Sequence, residues 1–419
     1  MTEQENPFGD TDDDFATDAV PVSTEHTLLE TARKTFLPWH KPRKQWIRAS
    51  QWASSISSLA DQLRLKDLNE PLRYLSLPGP DLLDVRSIQP VCSDKQIELQ
   101  FVGLNSGDDD DSNVALNRAL INQVRSLPGI DQASEVVTDR FEHLALKKSI
   151  AYARIVTAQK SFDVVNIDLC GSFAEGMTGV YGANVANALF SLMQHQARNR
   201  SKDWLFFITT RSHREMVGED TMQRFVAWLN SMIERQPDLR ATLINSALLA
   251  ESDFSDGVID VARLSAPSFS NSFALGLAHW ILAALAQEDP AWRADMLPHY
   301  EYHVAMDDAS CDMLSLGFYC RRIPVAPKDD PLGIARVKVN PLPSIEQVAE
   351  QCREKIYRRV SERTDLDRLL HENDATYRQC LEDAAKLLAS ARYDEQAYRE
   401  WAAREHEKLG RFMRTTGVV

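Results

Sequence analysis

The six cysteines (Cys92, Cys170, Cys311, Cys320, Cys352 and Cys380) include no CxxC pair and no zinc-finger spacing. That excludes a zinc ribbon or a disulfide scaffold, and reduced thiols in a cytoplasmic protein are expected. The start has no basic segment followed by an apolar run, so no secretory leader is expected. The longest apolar stretch, Phe273 to Ala286, is too short to span a bilayer and carries His279 and Trp280. It reads as a buried helix, with no membrane contact. Lys and Arg are missing from residues 1–25, which hold eight acids and read as a disordered acidic tail. Walker A, HExxH and GxSxG patterns and metal-ligand clusters are all missing. This disfavours an NTPase, a zinc hydrolase or a serine hydrolase, and no metal is expected.

What remains is ordinary globular material: 419 residues, 44% hydrophobic and 26% charged, enough for one large α/β domain and a smaller region. The net charge of −14 is uneven, because Thr31 to Ala60 contains six bases and no acid. Residues 26–69 form an arm in which Pro38 and Pro42 are expected to separate a short helix from a longer one beginning near Ser50. Lys41, Arg43, Lys44, Trp46 and Arg48 lie within its basic and aromatic stretch, residues 39–52. Such a set suits a surface that tracks phosphates and stacks bases, so nucleic acid is one expected partner. The other reading buries Trp46 and Trp52 against a sheet while the charges snorkel.

Residues 70–325 alternate strand-like runs (Leu72–Leu77, Ile97–Leu104, Ser134–Thr138, Phe162–Leu169, Trp204–Thr210) with helical patterns at Asn113–Arg125, Phe141–Gln159 and Ala183–Asn199. The spacing suits right-handed βαβ crossovers. A helix at Thr221–Arg235 and a helical stretch from Arg240 to Gln287 follow, then a hairpin of Tyr300–Met306 with Met313–Arg321. The expected fold is α/β: a doubly wound, mainly parallel, seven-stranded sheet with a terminal antiparallel hairpin. Residues 342–415 read as helices, opened by a capping box of Ser344 and Gln347. They form a hairpin or small bundle, or alternatively a coiled-coil surface for a protein partner.

Five strand–helix units followed by a hairpin resemble the class I S-adenosylmethionine-dependent methyltransferase fold, over residues ~70–322. The resemblance implies S-adenosylmethionine as cofactor. It places Gly79 (in Ser76-Leu77-Pro78-Gly79-Pro80-Asp81) at the cofactor carboxylate, Asn105 at the ribose and Asp139 at the adenine. Pro78 and Pro80 each remove a donor from that loop. Acids from Asp108 to Asp111 offer a substitute ribose contact or a solvated loop, and Asp139 is alternatively a helix cap.

Asn166-Ile167-Asp168-Leu169-Cys170-Gly171-Ser172 loosely resembles the Asp-x-Asp-Pro-Phe-Gly-Ser segment of tRNA guanine dimethyltransferases. Asn166, Leu169 and Cys170 replace its first acid, its proline and its aromatic. Asp168 is the candidate catalytic carboxylate at the strand terminus, or else the cap of a buried strand. His213, within Arg211-Ser212-His213-Arg214, is a candidate general base, and Cys170 reads as a buried, inert thiol. The expected function is methyl transfer from S-adenosylmethionine to nucleic acid or another macromolecule. The alternative is a methyltransferase-like binding or scaffold subunit of a bacterial-type complex without turnover.

Overall fold

The computed structural model describes residues 32–106, 111–174, 182–306, 310–324 and 342–417. The acidic tail, 1–25, and the acids 108–110 lie outside these residues.

Five parallel strands, β1 (Leu72–Ser76), β2 (Leu99–Asn105), β3 (Glu135–Thr138), β4 (Val164–Asp168) and β5 (Trp204–Arg211), coincide with the five apolar runs. A small hairpin pairs β6 (Phe254–Ser255) with β7 (Val258–Ile259). Then come β8 (Trp292–Met296), β9 (Tyr300–Tyr302), β10 (Met313–Arg322) and, in the tail, β11 (Thr364–Asp365). The main sheet runs β11-β9-β10-β5-β4-β1-β2-β3, with β8 also on β10. β10 is antiparallel to β5, β8 and β9. The result is the doubly wound sheet with a terminal hairpin.

Among the described residues the main sheet has nine strands where seven are expected. The outer hairpin strand is split into β8 and β9 around Pro298, which has no N–H to give to a ladder. The tail adds the two residues of β11, parallel to β9.

Strand order reverses between β1 and β4, because β1 pairs with β2 on one side and β4 on the other: Ser76 is level with Gly103 of β2 and with Asn166 of β4. In an open α/β sheet this switch point leaves a crevice beyond the carboxyl ends of the strands. Strand β5 is buried along nearly its whole length, as expected for a strand covered on both faces.

Three helical expectations change. The arm helix begins at Pro42, not near Ser50, and runs through Pro42–Trp46, a wider π-type stretch at Ile47–Ala53, and Ser54–Leu63. Proline fits a first helical position, where its missing N–H costs nothing. The Phe141–Gln159 pattern is not one helix but two short turns, Phe141–Ala145 and Tyr152–Thr157. Asp139 folds the segment back by accepting the Ala151 N–H at 2.8 Å. The Arg240–Gln287 stretch divides into a helix at Asp238–Asn245, the β6–β7 hairpin, and a helix at Ala266–Ala286 capped by Ser265. That last helix is long and apolar enough to cross a membrane, but 78% of its apolar window is buried within the protein.

The tail forms helices at Ile345–Ser361, Leu366–Glu372, Asp374–Ser390 and Glu395–Thr416, and the Ser344–Gln347 capping box is present. Its last two helices pack on the arm. Phe36 and Trp39 join Leu83, Leu388, Tyr393 and Tyr398 in one apolar cluster. Arm and tail thus close together over one end of the sheet.

Candidate functional site

Two adjoining cavities occupy the switch-point crevice. One, of about 340 Å³, lies beyond the ends of β1 to β4 and is lined by Gly79, Asn105, Asp139, Phe141 and Asp168. The other, about 260 Å³, is roofed by Pro38 and Trp39 of the arm. Leu77, Gly79, Asp168, Leu169 and Cys170 line both. All three expected cofactor residues therefore meet Asp168 at one place, although the four residues come from four different strand ends.

Asp168 ends β4 level with Thr209 of β5. Its side chain, 24% exposed, accepts a bond from Lys44 Nζ at 2.6 Å through Oδ1. Lys44 is buried, with Nζ also 4.8 Å from the centre of the Trp52 ring. Burial lowers the Lys44 pKa, and Asp168 opposes that shift. A carboxylate at this strand end is thus both a cation's partner and a wall of the crevice.

Behind the pair runs a buried polar chain. Asn166 Nδ2 donates to Tyr74 Oη at 2.8 Å, and Tyr74 Oη donates to Asp84 at 3.0 Å. Burial raises the Asp84 pKa, which favours the neutral acid. Asn166, where the resembling segment has an acid, is therefore a link in a buried hydrogen-bonded chain.

The first loop takes its turn at Gly79, whose φ of +60° suits glycine. Its Pro78 ring packs where a Cβ on Gly103 would come within 2.8 Å, so the glycine of β2 admits the proline. Asp81, which also borders the arm-roofed cavity, is engaged by arm and tail: Arg33 pairs with it, and Tyr393 Oη donates to it at 2.8 Å. Burial works against its charge, but His40, Arg33 and Tyr393 hold its carboxyl below the usual range. The acid that would repel a ligand carboxylate is neutralised by the arm and tail.

Asp139 lines the larger cavity, but three donors already occupy it: the N–H groups of Arg140 and Ala151, each at 2.8 Å, and His143 Nδ1 at 2.6 Å. These donors outweigh partial burial and hold its pKa low. Its observed work is organising the loop after β3. Asn105 is half-buried at the rim.

The expected nucleic-acid surface is corrected. Lys41, Arg43, Lys44 and Arg48 are all buried, so they present no face that could track phosphates. Lys41 Nζ meets Glu405 at 2.9 Å, Arg43 pairs with Asp367, and Arg48 donates to the Trp39 carbonyl at 3.1 Å. Trp46 packs edge-on against Tyr300, with ring centres 4.6 Å apart. Six bases without an acid imply distant acids as partners as readily as a polyanion, and the tail and β4 supply them.

His213 is not brought to Asp168. It lines a separate cavity with Ser212, Phe269 and Ser270. Its neighbours are engaged too, Arg211 with Asp312 and Arg214 with the Leu264 carbonyl. Cys170 is exposed, not buried. Sequence reasoning missed Lys44 as the partner of Asp168, and also the roles of Tyr74 and Asp84.

Strand order and crevice together define a doubly wound α/β protein with a ligand-sized cleft at its switch point. The chain belongs to the PP_RS20740-like family, whose model matches residues 33–403. No curated protein matches it. Among solved structures it is similar to an O-methyltransferase family protein from Burkholderia thailandensis, at 11% identity and a TM-score of 0.26, covering 65% of this chain and 58% of that one. It is also similar to an S-adenosylmethionine-dependent methyltransferase from Clostridium acetobutylicum, at 10% identity and a TM-score of 0.28, covering 66% and 94%. The chain thus spans less than two thirds of the first of these.

Proposed function

We propose that the chain is an S-adenosylmethionine-dependent methyltransferase, with the cofactor in the larger cavity and the methyl acceptor in the arm-roofed one. The observation that carries this reading is the shared wall: Asp168 borders both cavities at the sheet's switch point. The residues present fit the cofactor in place. Gly79 leaves open space beside the first loop, Asn105 stands at the end of β2 for a ribose hydroxyl, and Phe141 offers a ring face.

When bound, the cofactor supplies an electrophilic methyl on a sulfonium. The chain's own part is alignment, which brings an acceptor lone pair and that methyl carbon to contact distance while water is excluded by Trp39 and Pro38. Asp168 Oδ1 is held by Lys44, leaving Oδ2 to take the proton released by an acceptor O–H or N–H. The lysine keeps that carboxylate oriented across the transfer.

One observation favours a second reading, a binding subunit without turnover. Pro78 and Pro80 leave the first loop poor in N–H donors, and Asp139 is already engaged by three groups. Calorimetric titration with S-adenosylmethionine and S-adenosylhomocysteine decides between them. Saturable binding that Asp168→Ala weakens supports the enzyme, and no heat at millimolar ligand supports the binding subunit.

A further inference from the structure

Arg48 is a buried guanidinium on the wall of the arm-roofed cavity. Among the described residues no carboxylate lies within ion-pair distance of it. Its one recorded bond goes to the Trp39 carbonyl, and its Nε has no partner. Burial lowers its pKa, while Asp168 and Asp84 oppose that shift from a distance. Lys44, the other cation of the cavity, is already matched by Asp168. A buried cation without a direct counter-charge is costly, and such groups are normally paired. The remaining wall is mostly apolar, formed by Trp39, Leu77, Leu83, Tyr302, Val304 and Met313, and its two other acids are engaged elsewhere, Asp81 by Arg33 and Asp84 by the Tyr74 hydroxyl.

We propose that Arg48 is an anion-binding residue, and that this cavity takes a small, largely apolar molecule through a single carboxylate. One unmatched guanidinium balances one negative charge, and its planar fork matches a carboxylate's two oxygens. A dianion would leave a charge among apolar walls. A polymer would not fit a cavity of about 260 Å³ roofed by the arm. The apolar walls favour a free organic acid. The amino-acid end of the cofactor is the other source of a carboxylate, since Gly79 borders both cavities. The anion site itself stands apart from the methyl-transfer reading, whereas the acid's role as methyl acceptor rests on it.

Two pairs of probes test this by calorimetry on the full chain. The first pair sets benzoate, indole-3-acetate and octanoate against their amides. The second sets S-adenosylhomocysteine against 5′-methylthioadenosine, which lacks the amino-acid end. In at least one pair the carboxylate-bearing member binds more tightly, and Arg48→Met lowers its affinity about tenfold or more while leaving the uncharged member unchanged. The pair that responds identifies the source. Equal binding of the two members in both pairs, binding in neither pair, or an Arg48→Met variant that keeps the preference for the carboxylate-bearing member overturns the proposal. If Arg48→Met does not fold, the acid–amide comparison on the unaltered chain decides. Acids bound without any adenosyl ligand would overturn the methyltransferase reading alone, and adenosyl ligands bound with no carboxylate preference would overturn the anion site alone.

Discussion

Lys44 and Asp168 lie 124 positions apart and meet at 2.6 Å. The two halves of the pair differ in what each loses when the other is removed. Asp168→Asn leaves a buried ammonium without its counter-charge, whereas Lys44→Met leaves a carboxylate that still reaches water through its 24% exposure. Breaking a buried pair typically costs 3–5 kcal/mol, so about 2 kcal/mol is expected for Asp168→Asn at this half-open site, and less for Lys44→Met. Urea unfolding of both variants checks the order, and equal losses would reject the asymmetry. Asp168 was legible in the sequence because a strand-forming run ended on an acid. Its partner was not, since no local pattern records which distant acid a base will meet.

At the scale of elements, close approach decides two glycines. A Cβ on Gly276 would come within 2.2 Å of the Phe225 ring, where the Ala266–Ala286 and Glu219–Arg235 helices cross. Alanine gains up to about 1 kcal/mol of helix propensity, but overpacking of this kind costs about 1–3 kcal/mol. Gly276→Ala is therefore expected to be net destabilising by about 1 kcal/mol, read as a lower thermal midpoint.

Gly103→Ala would press on Pro78 and displace the first loop, whose Leu77 and Gly79 border both cavities. It is expected to weaken S-adenosylhomocysteine binding several-fold, with a smaller effect on the urea midpoint. Unaltered binding would detach β2 from the site. The sequence carries a local signal for the break in the Arg240–Gln287 helical stretch. Asp256-Gly257, both at positive φ, make the two-residue turn of the β6–β7 hairpin that divides an expected helical stretch.

At the scale of the whole molecule, three histidines whose pKa burial lowers make stability depend on pH. Burial lowers His195 to about 4 and both His279 and His299 to about 3. Between those values and the ordinary 6.5, the unfolded chain binds protons that the folded chain refuses. The stabilisation is therefore present above pH 6.5 and lost as pH falls, at about 1.4 kcal/mol per pH unit for each group. The urea midpoint is expected to drop from pH 7 to pH 5, and His299→Leu should flatten that fall. An identical profile in the variant would place the acid sensitivity elsewhere.

The last two helices contribute on the same scale. Deleting residues 374–417 removes Tyr393 from Asp81 and Glu405 from Lys41, and uncovers Phe36 and Trp39. The shortened chain is expected to aggregate, as seen by light scattering. A monomeric, folded product would show that the arm does not depend on the tail.

By itself the sequence determined the five parallel strands, the hairpin that follows them, the capped tail helices and the carboxylate at the end of β4. Each of these rests on local periodicity or on a turn residue's own conformational preference. Only the tertiary structure decided that the basic arm turns inward, that Asp81 is neutralised by arm and tail, that His213 stands apart from Asp168 and that Arg48 has no ion-pair partner among the described residues. The physical reason is that a charged side chain's role depends on its partner and on the water around it. Both are set by segments hundreds of residues away, which spacing along the chain does not encode.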